Sequence, residues 1–142
     1  MKIVYSYYVL DIVHKGHLMM MQNAKAIAGK DGKLIVGILT DEAVMEKKPK
    51  PLLSFEDRIA IASAIKYVDV VVAQEKYSPL ENIMRIKPDV LIESSSHNDK
   101  DIEKARKVMA KINGKVIVFP YYPGHSSTNI KNKISRISKE KK

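Results

Sequence analysis

Two imidazoles stand three residues apart in the stretch Asp11-Ile12-Val13-His14-Lys15-Gly16-His17, with a glycine between them. An imidazole can donate a hydrogen bond to a phosphoryl oxygen, and glycine puts no side chain between an anion and the backbone. A helix cap without a ligand, half of a metal site, or coincidental spacing would account for the same pair, so the pattern alone leaves phosphate binding open. Metal is the weaker of these readings, because the chain has no cysteine and no third ligand lies close in sequence.

The elements that must position these residues can be read from hydrophobic pattern. Residues 3–10 form an apolar run rich in β-branched and aromatic side chains, which suits a buried strand. After Gly16, the apolar positions Leu18, Met21, Ala24, Ile27 and Ala28 recur at three and four and mark an amphipathic helix. The histidines therefore fall where a strand hands over to a helix, and a helix start offers free backbone N–H groups and a positive dipole end to an anion. Further strands are expected over 33–39, 68–73, 88–92 and 115–119. Helices are expected over 42–46 behind Thr40, from Ser54 to about 67, from Ser78-Pro79 to about 86, from Asp99 or Asp101 to about 112, and after Ser126-Ser127-Thr128. Lys47-Lys48-Pro49-Lys50-Pro51 cannot continue a helix and reads as a basic loop.

Strands alternating with helices predict an α/β fold: a Rossmann-like, doubly wound, five-stranded parallel sheet with helices on both faces. Ligands of such sheets bind beyond the carboxyl ends of the strands. His14 and His17 follow the first strand, His97 the fourth and His125 the fifth, so all four histidines are expected at that one edge.

At 142 residues, 45% of them apolar and 29% charged, the sequence suits a single folded domain over 1–142 with a basic C-terminal helix or tail from about 127. No apolar run approaches the roughly 20 residues of a membrane span and no signal-peptide pattern opens the chain, so a cytoplasmic location is expected. The formal net charge is +9, and six basic residues against one acid after residue 128 supply most of it. A solvated basic helix accounts for that run better than nucleic-acid binding, because no aromatic platform interleaves with it. The dinucleotide glycine fingerprint, the P-loop and the nucleophile elbow of acyl hydrolases are absent from the sequence.

His14-Lys15-Gly16-His17, with Asp11 ahead of it, resembles the H-x-G-H signature of the nucleotidyltransferase superfamily that includes cytidylyltransferases, phosphopantetheine adenylyltransferase and archaeal FAD synthetase. The resemblance covers nearly the whole chain: Thr40-Asp41-Glu42, the basic loop, Ser54-Phe55-Glu56-Asp57-Arg58, Tyr67-Val68-Asp69 and Gly124-His125-Ser126-Ser127-Thr128 follow in order as in glycerol-3-phosphate cytidylyltransferases. The resemblance implies attack of a phosphorylated or phosphonate alcohol on the α-phosphate of a nucleoside triphosphate, with CTP the expected donor, Mg²⁺ accompanying it and pyrophosphate released. In that reading His14 and His17 hold the α- and β-phosphates. Lys47 and Lys50 belong to a loop that closes over the reactants, with Lys48 as their nearest competitor. Tyr8, Val9, Gly16, Ser95, Gly124, Ser126, Ser127 and Thr128 would line the nucleotide and its phosphates. Asp11, Arg58, Lys66, His97 and His125 would support the site or bind the acceptor. The family also implies a homodimer.

The sequence departs from the family pattern at several of these positions. Tyr8 replaces the usual glycine and Val9-Leu10 the commoner Thr-Phe. Tyr121 stands where the family's second signature, R-T-x-G-I-S-T-T, similar to Tyr121-Tyr122-Pro123-Gly124-His125-Ser126-Ser127-Thr128, has arginine, and Glu93-Ser94-Ser95-Ser96-His97 replaces a stretch with paired aspartates that help read cytosine. An adenylyltransferase of cofactor synthesis, a nucleotide-binding domain without turnover, and a polyanion binder led by the C-terminal charge are the competing readings.

Overall fold

The structure, a computed structural model, describes residues 1–120 and 127–140. In chain order the elements are β1 (Ile3–Tyr8), α1 (Lys15–Ala28), β2 (Lys33–Leu39), α2 (Asp41–Met45), α3 (Phe55–Ser63), β3 (Val70–Gln74), α4 (Leu80–Ile86), β4 (Val90–Ser94), α5 (Asp99–Lys111), β5 (Lys115–Phe119) and α6 (Ser127–Glu140). The five strands form one parallel sheet in the order β3-β2-β1-β4-β5. Helices start where polar side chains accept backbone N–H groups: Thr40 from Ala43, Ser54 from Asp57 and Asn98 from Lys100.

Strand alternation divides the core. Val4 and Tyr8 of β1 pack with Met21, Ala24 and Ala28 of α1 and Ala62 of α3 on one face. Tyr5 packs with Ile83 of α4 and Ile102, Ala105 and Met109 of α5 on the other. A smaller apolar group at the carboxyl edge joins Leu39, Ala43 and Val44 to Tyr7, Val9 and Tyr77. The doubly wound architecture expected from the alternating pattern is thus present, with its switch point between β1 and β4.

Several boundaries differ from the expected ones for identifiable reasons. β1 stops at Tyr8, not residue 10: the Val9 carbonyl accepts an Arg58 N–H at 2.8 Å, and Leu10 sits in the left-handed region at φ 59°. β3 begins at Val70 because the Asp69 carboxylate accepts the Leu34 N–H at 2.8 Å and the Lys25 ammonium at 2.7 Å. Helix α3 ends at Ser63 in tight turn bonds from Ile65 to Ala62 and from Val68 to Ile65. Leu18, expected on the inward face of α1, is exposed, and the buried stripe is Gly16, Met21, Ala24 and Ala28.

Candidate active site

Helix α1 is capped by histidines in the places where serine or threonine and glutamate usually stand. His14 is the N-cap, and its Nδ1 accepts the Gly16 N–H at 3.1 Å; the His17 Nδ1 accepts the His14 N–H at 3.3 Å. A backbone N–H can only donate, so both Nδ1 atoms carry lone pairs and both neutral rings hold their proton on Nε2. The rings lie 3.9 Å apart, centre to centre, and Tyr8 meets His17 edge-on at 5.9 Å. Burial, with the neighbouring His14 adding to it, pushes the His17 pKa down to about 3. The cap thereby makes two neutral N–H donors out of side chains that could otherwise be charged. It also occupies the Gly16 N–H, which the sequence had offered to a phosphate.

These rings line a cavity of about 560 Å³ at the carboxyl edge of β1 and β4, a volume suited to a small-molecule ligand. Tyr8, Val9, Asp11, His14, Gly16, His17, Lys50, His97 and Thr128 of the expected site residues border it, and so does Lys48. Lys47 does not; its ammonium lies 3.7 Å from Asp101 and 5.0 Å from the centre of the Tyr77 ring. Lys66 lies apart from the cavity, over Tyr67 at 5.2 Å, and Ser95 is exposed just beyond β4. Gly124, His125 and Ser126 lie outside the described residues, as does the side chain of Ser127, whose backbone opens α6.

Asp11 is buried and accepts the N–H groups of Leu52 and Leu53 at 2.9 and 2.8 Å, and the ammonium of Lys131 from α6. Burial alone would raise its pKa, but these bonds outweigh it and hold the carboxyl below the usual range. The strand-end carboxylate thus joins the basic loop to the first turns of the last helix. Arg58 is fully buried and reaches the cavity only through the backbone of Val9 and Leu39, which border it. Its guanidinium donates to the carbonyls of Val9, Leu39 and Leu53 at 2.8, 2.7 and 3.3 Å, and to Asp41 at 2.7 Å.

Sequence reasoning passed over several groups here. Tyr7 donates to both oxygens of buried Glu93, at 2.8 and 2.9 Å, and Glu93 also bonds the Nδ1 of His97. Tyr77, Lys131 and Asn132 border the cavity as well. The hydroxyls of Ser6 and Tyr8 are buried beside it without a hydrogen-bond partner among the described residues. Strand parity was the available signal for Tyr7, which must face away from Tyr8. Among the described residues no three His, Asp or Glu side chains gather as a metal site, and no helix is long and apolar enough to cross a membrane.

A family model described as cytidylyltransferase-like matches residues 9–133. The FAD synthase of Korarchaeum cryptofilum is 31% identical over 129 residues, covering 89% of this chain and 87% of that protein. The bifunctional protein HldE of Campylobacter fetus is 33% identical over 126 residues, and the chain spans only 26% of its length. In three dimensions the chain is similar to the lipopolysaccharide core biosynthesis protein of Thermoplasma volcanium, with a TM-score of 0.71, 21% identity, and coverage of 86% of this chain and 97% of that one. It is also similar to Thermotoga maritima TmcAL, solved with alpha-thio ATP, with a TM-score of 0.69, 11% identity, and coverage of 99% and 52%. At such identities these two likenesses concern the fold.

Proposed function

The chain belongs to the cytidylyltransferase-like family and is a nucleotidyltransferase; from that premise we propose that it transfers CMP from CTP to a small phosphorylated or phosphonate alcohol and releases pyrophosphate. The observation that carries this reading is the histidine cap, which turns the Nε2–H edges of His14 and His17 into donors beside one cavity. Preorganised donors of this kind stabilise charge that develops on phosphate oxygens during transfer. Thr128 and the start of α6 hold the outer phosphates, and Lys48, Lys50 and Lys131 supply positive charge around them. No covalent intermediate is needed: the acceptor oxygen attacks the α-phosphorus as the bond to the β-phosphate oxygen breaks, and the chain aligns the two.

Mg²⁺ suits this reading as a companion of the triphosphate. Asp11 is the carboxylate bordering the cavity among the described residues, and it is engaged by two backbone N–H groups and Lys131. The described residues therefore do not form a dedicated cage for the ion, and the triphosphate would bring it with its hydration waters.

A second reading, AMP transfer from ATP, is favoured by the FAD synthase relative, which matches over most of both chains. A pyrophosphate-release screen of CTP and ATP against phosphorylated alcohols, phosphonates and FMN decides between the two. Turnover with CTP alone supports the first; turnover with ATP alone replaces it by the second. Nucleotide binding without turnover in every pair would reduce the chain to a binding domain.

A further inference from the structure

Three described histidines border the cavity, and their Nδ1 atoms face opposite kinds of partner: backbone N–H donors for His14 and His17, a carboxylate for His97. In His14 and His17 the Nδ1 atoms accept, so Nε2 carries the proton. In His97 the Nδ1 bonds Glu93, whose two oxygens already accept from Tyr7 at 2.8 and 2.9 Å. A carboxylate in that position accepts, so the His97 Nδ1 carries the proton, and in the neutral ring Nε2 keeps a lone pair. Glu93 is 3% exposed whereas His97 is 32% exposed. The ring edge turned from Glu93 is therefore the one left to the cavity, and Nε2 bonds to no described residue. The cavity thus carries donors where β1 leads into α1 and, with a neutral His97, an acceptor beyond β4.

That acceptor belongs to a distinct wall. The His97 ring lies 5.6 Å from that of Tyr7, which packs with Leu39, Val44 and Tyr77 on the opposite face of β1 from Tyr8 and His17. Lys48 borders the same cavity. An apolar wall, an ammonium and one hydrogen-bond acceptor suit a small anion whose carbon skeleton carries a hydroxyl.

Resting on the transferase reading, we propose that His97 is a specificity-determining residue that accepts a hydrogen bond from a hydroxyl of the second substrate, which is then a polyol phosphate. Glu93 and Tyr7 are its positioning residues. A site built to bond a substrate hydroxyl discriminates strongly against the analogue without it, because a desolvated acceptor is left unpaired. An unprotonated Nε2 also disfavours phosphate oxygens, so the phosphate of that substrate is sent to the histidine-cap end.

Two measurements on the full chain test this. Histidine-ring ¹⁵N NMR should report His97 with its proton on Nδ1, and His14 and His17 with theirs on Nε2; a proton on the His97 Nε2 overturns the inference whether or not the protein turns over. Steady-state kinetics should then compare the best acceptor phosphate of the screen with its monodeoxy analogues. The wild type should prefer the hydroxylated form by about 10²-fold in kcat/KM for one of them. His97→Phe should collapse that ratio towards unity while the KM for the nucleotide stays close to that of the wild type, and Glu93→Gln should reduce the ratio partway. A ratio that survives His97→Phe, or a change in nucleotide KM in its place, overturns the assignment and leaves the transferase reading intact. Absence of turnover with every pair sinks both.

Discussion

Replacing His14 by asparagine separates the two things its ring does. Asparagine also serves well as an N-cap, so α1 should keep its start and unfolding stability should move by only about 0.5 kcal/mol. It lacks the outward Nε2–H, however, and pyrophosphate release should fall by about 10²-fold. A large loss of stability with little loss of rate would make the ring a structural cap only. His17 makes a prediction about pH. Its folded pKa is about 3, set first by burial and then by His14, whereas an unfolded histidine titrates near 6.5. Between those values the unfolded chain binds a proton that the folded chain refuses. The contribution is therefore complete above about 6.5 and is lost as pH falls towards 3, by up to about 1.4 kcal/mol per pH unit. Urea unfolding at pH 7 and pH 4 should show a smaller acid loss in His17→Gln than in the wild type.

At the scale of elements, one side chain does what sequence patterning could not foresee. Arg58 lies on α3 among Glu56 and Asp57, and such a helix reads as a surface bearing charges. In the structure its fork collects carbonyls from the ends of β1 and β2 and from the loop before α3, and pairs with the first residue of α2. Lysine offers one point of charge in place of a planar fork, so Arg58→Lys leaves buried carbonyls unpaired. A destabilisation of roughly 2–4 kcal/mol is expected in urea unfolding, as is usual when a buried hydrogen-bond network is broken. A change near zero would show that these elements hold together without it. The strands and helices themselves were legible, because hydrophobic period, proline, glycine and capping residues act locally. Their ends were less so, since β1 and β3 stop or start where Arg58 and Asp69 arrive from elsewhere in the chain.

For the whole molecule, the same distinction separates what could be read from what could not. The meeting of His14, His17 and His97 around one cavity at the carboxyl edge of the sheet followed from their positions after their strands. The partnership of Tyr7 with Glu93 did not, because they stand 86 positions apart and only the strand order brings them together. That order has a kinetic consequence. β1 can pair with β2 through a short crossover, but its other neighbour, through Val4↔Val90, is far downstream. Closing so long a loop is entropically costly, so this pairing is expected to complete last, after the rate-limiting step. The cavity at the carboxyl edge of β1 and β4 is completed with it. Bound triphosphate should slow the unfolding arm of a chevron plot and leave the refolding arm where it was, so that ligand lengthens the lifetime of the native protein without hastening its birth.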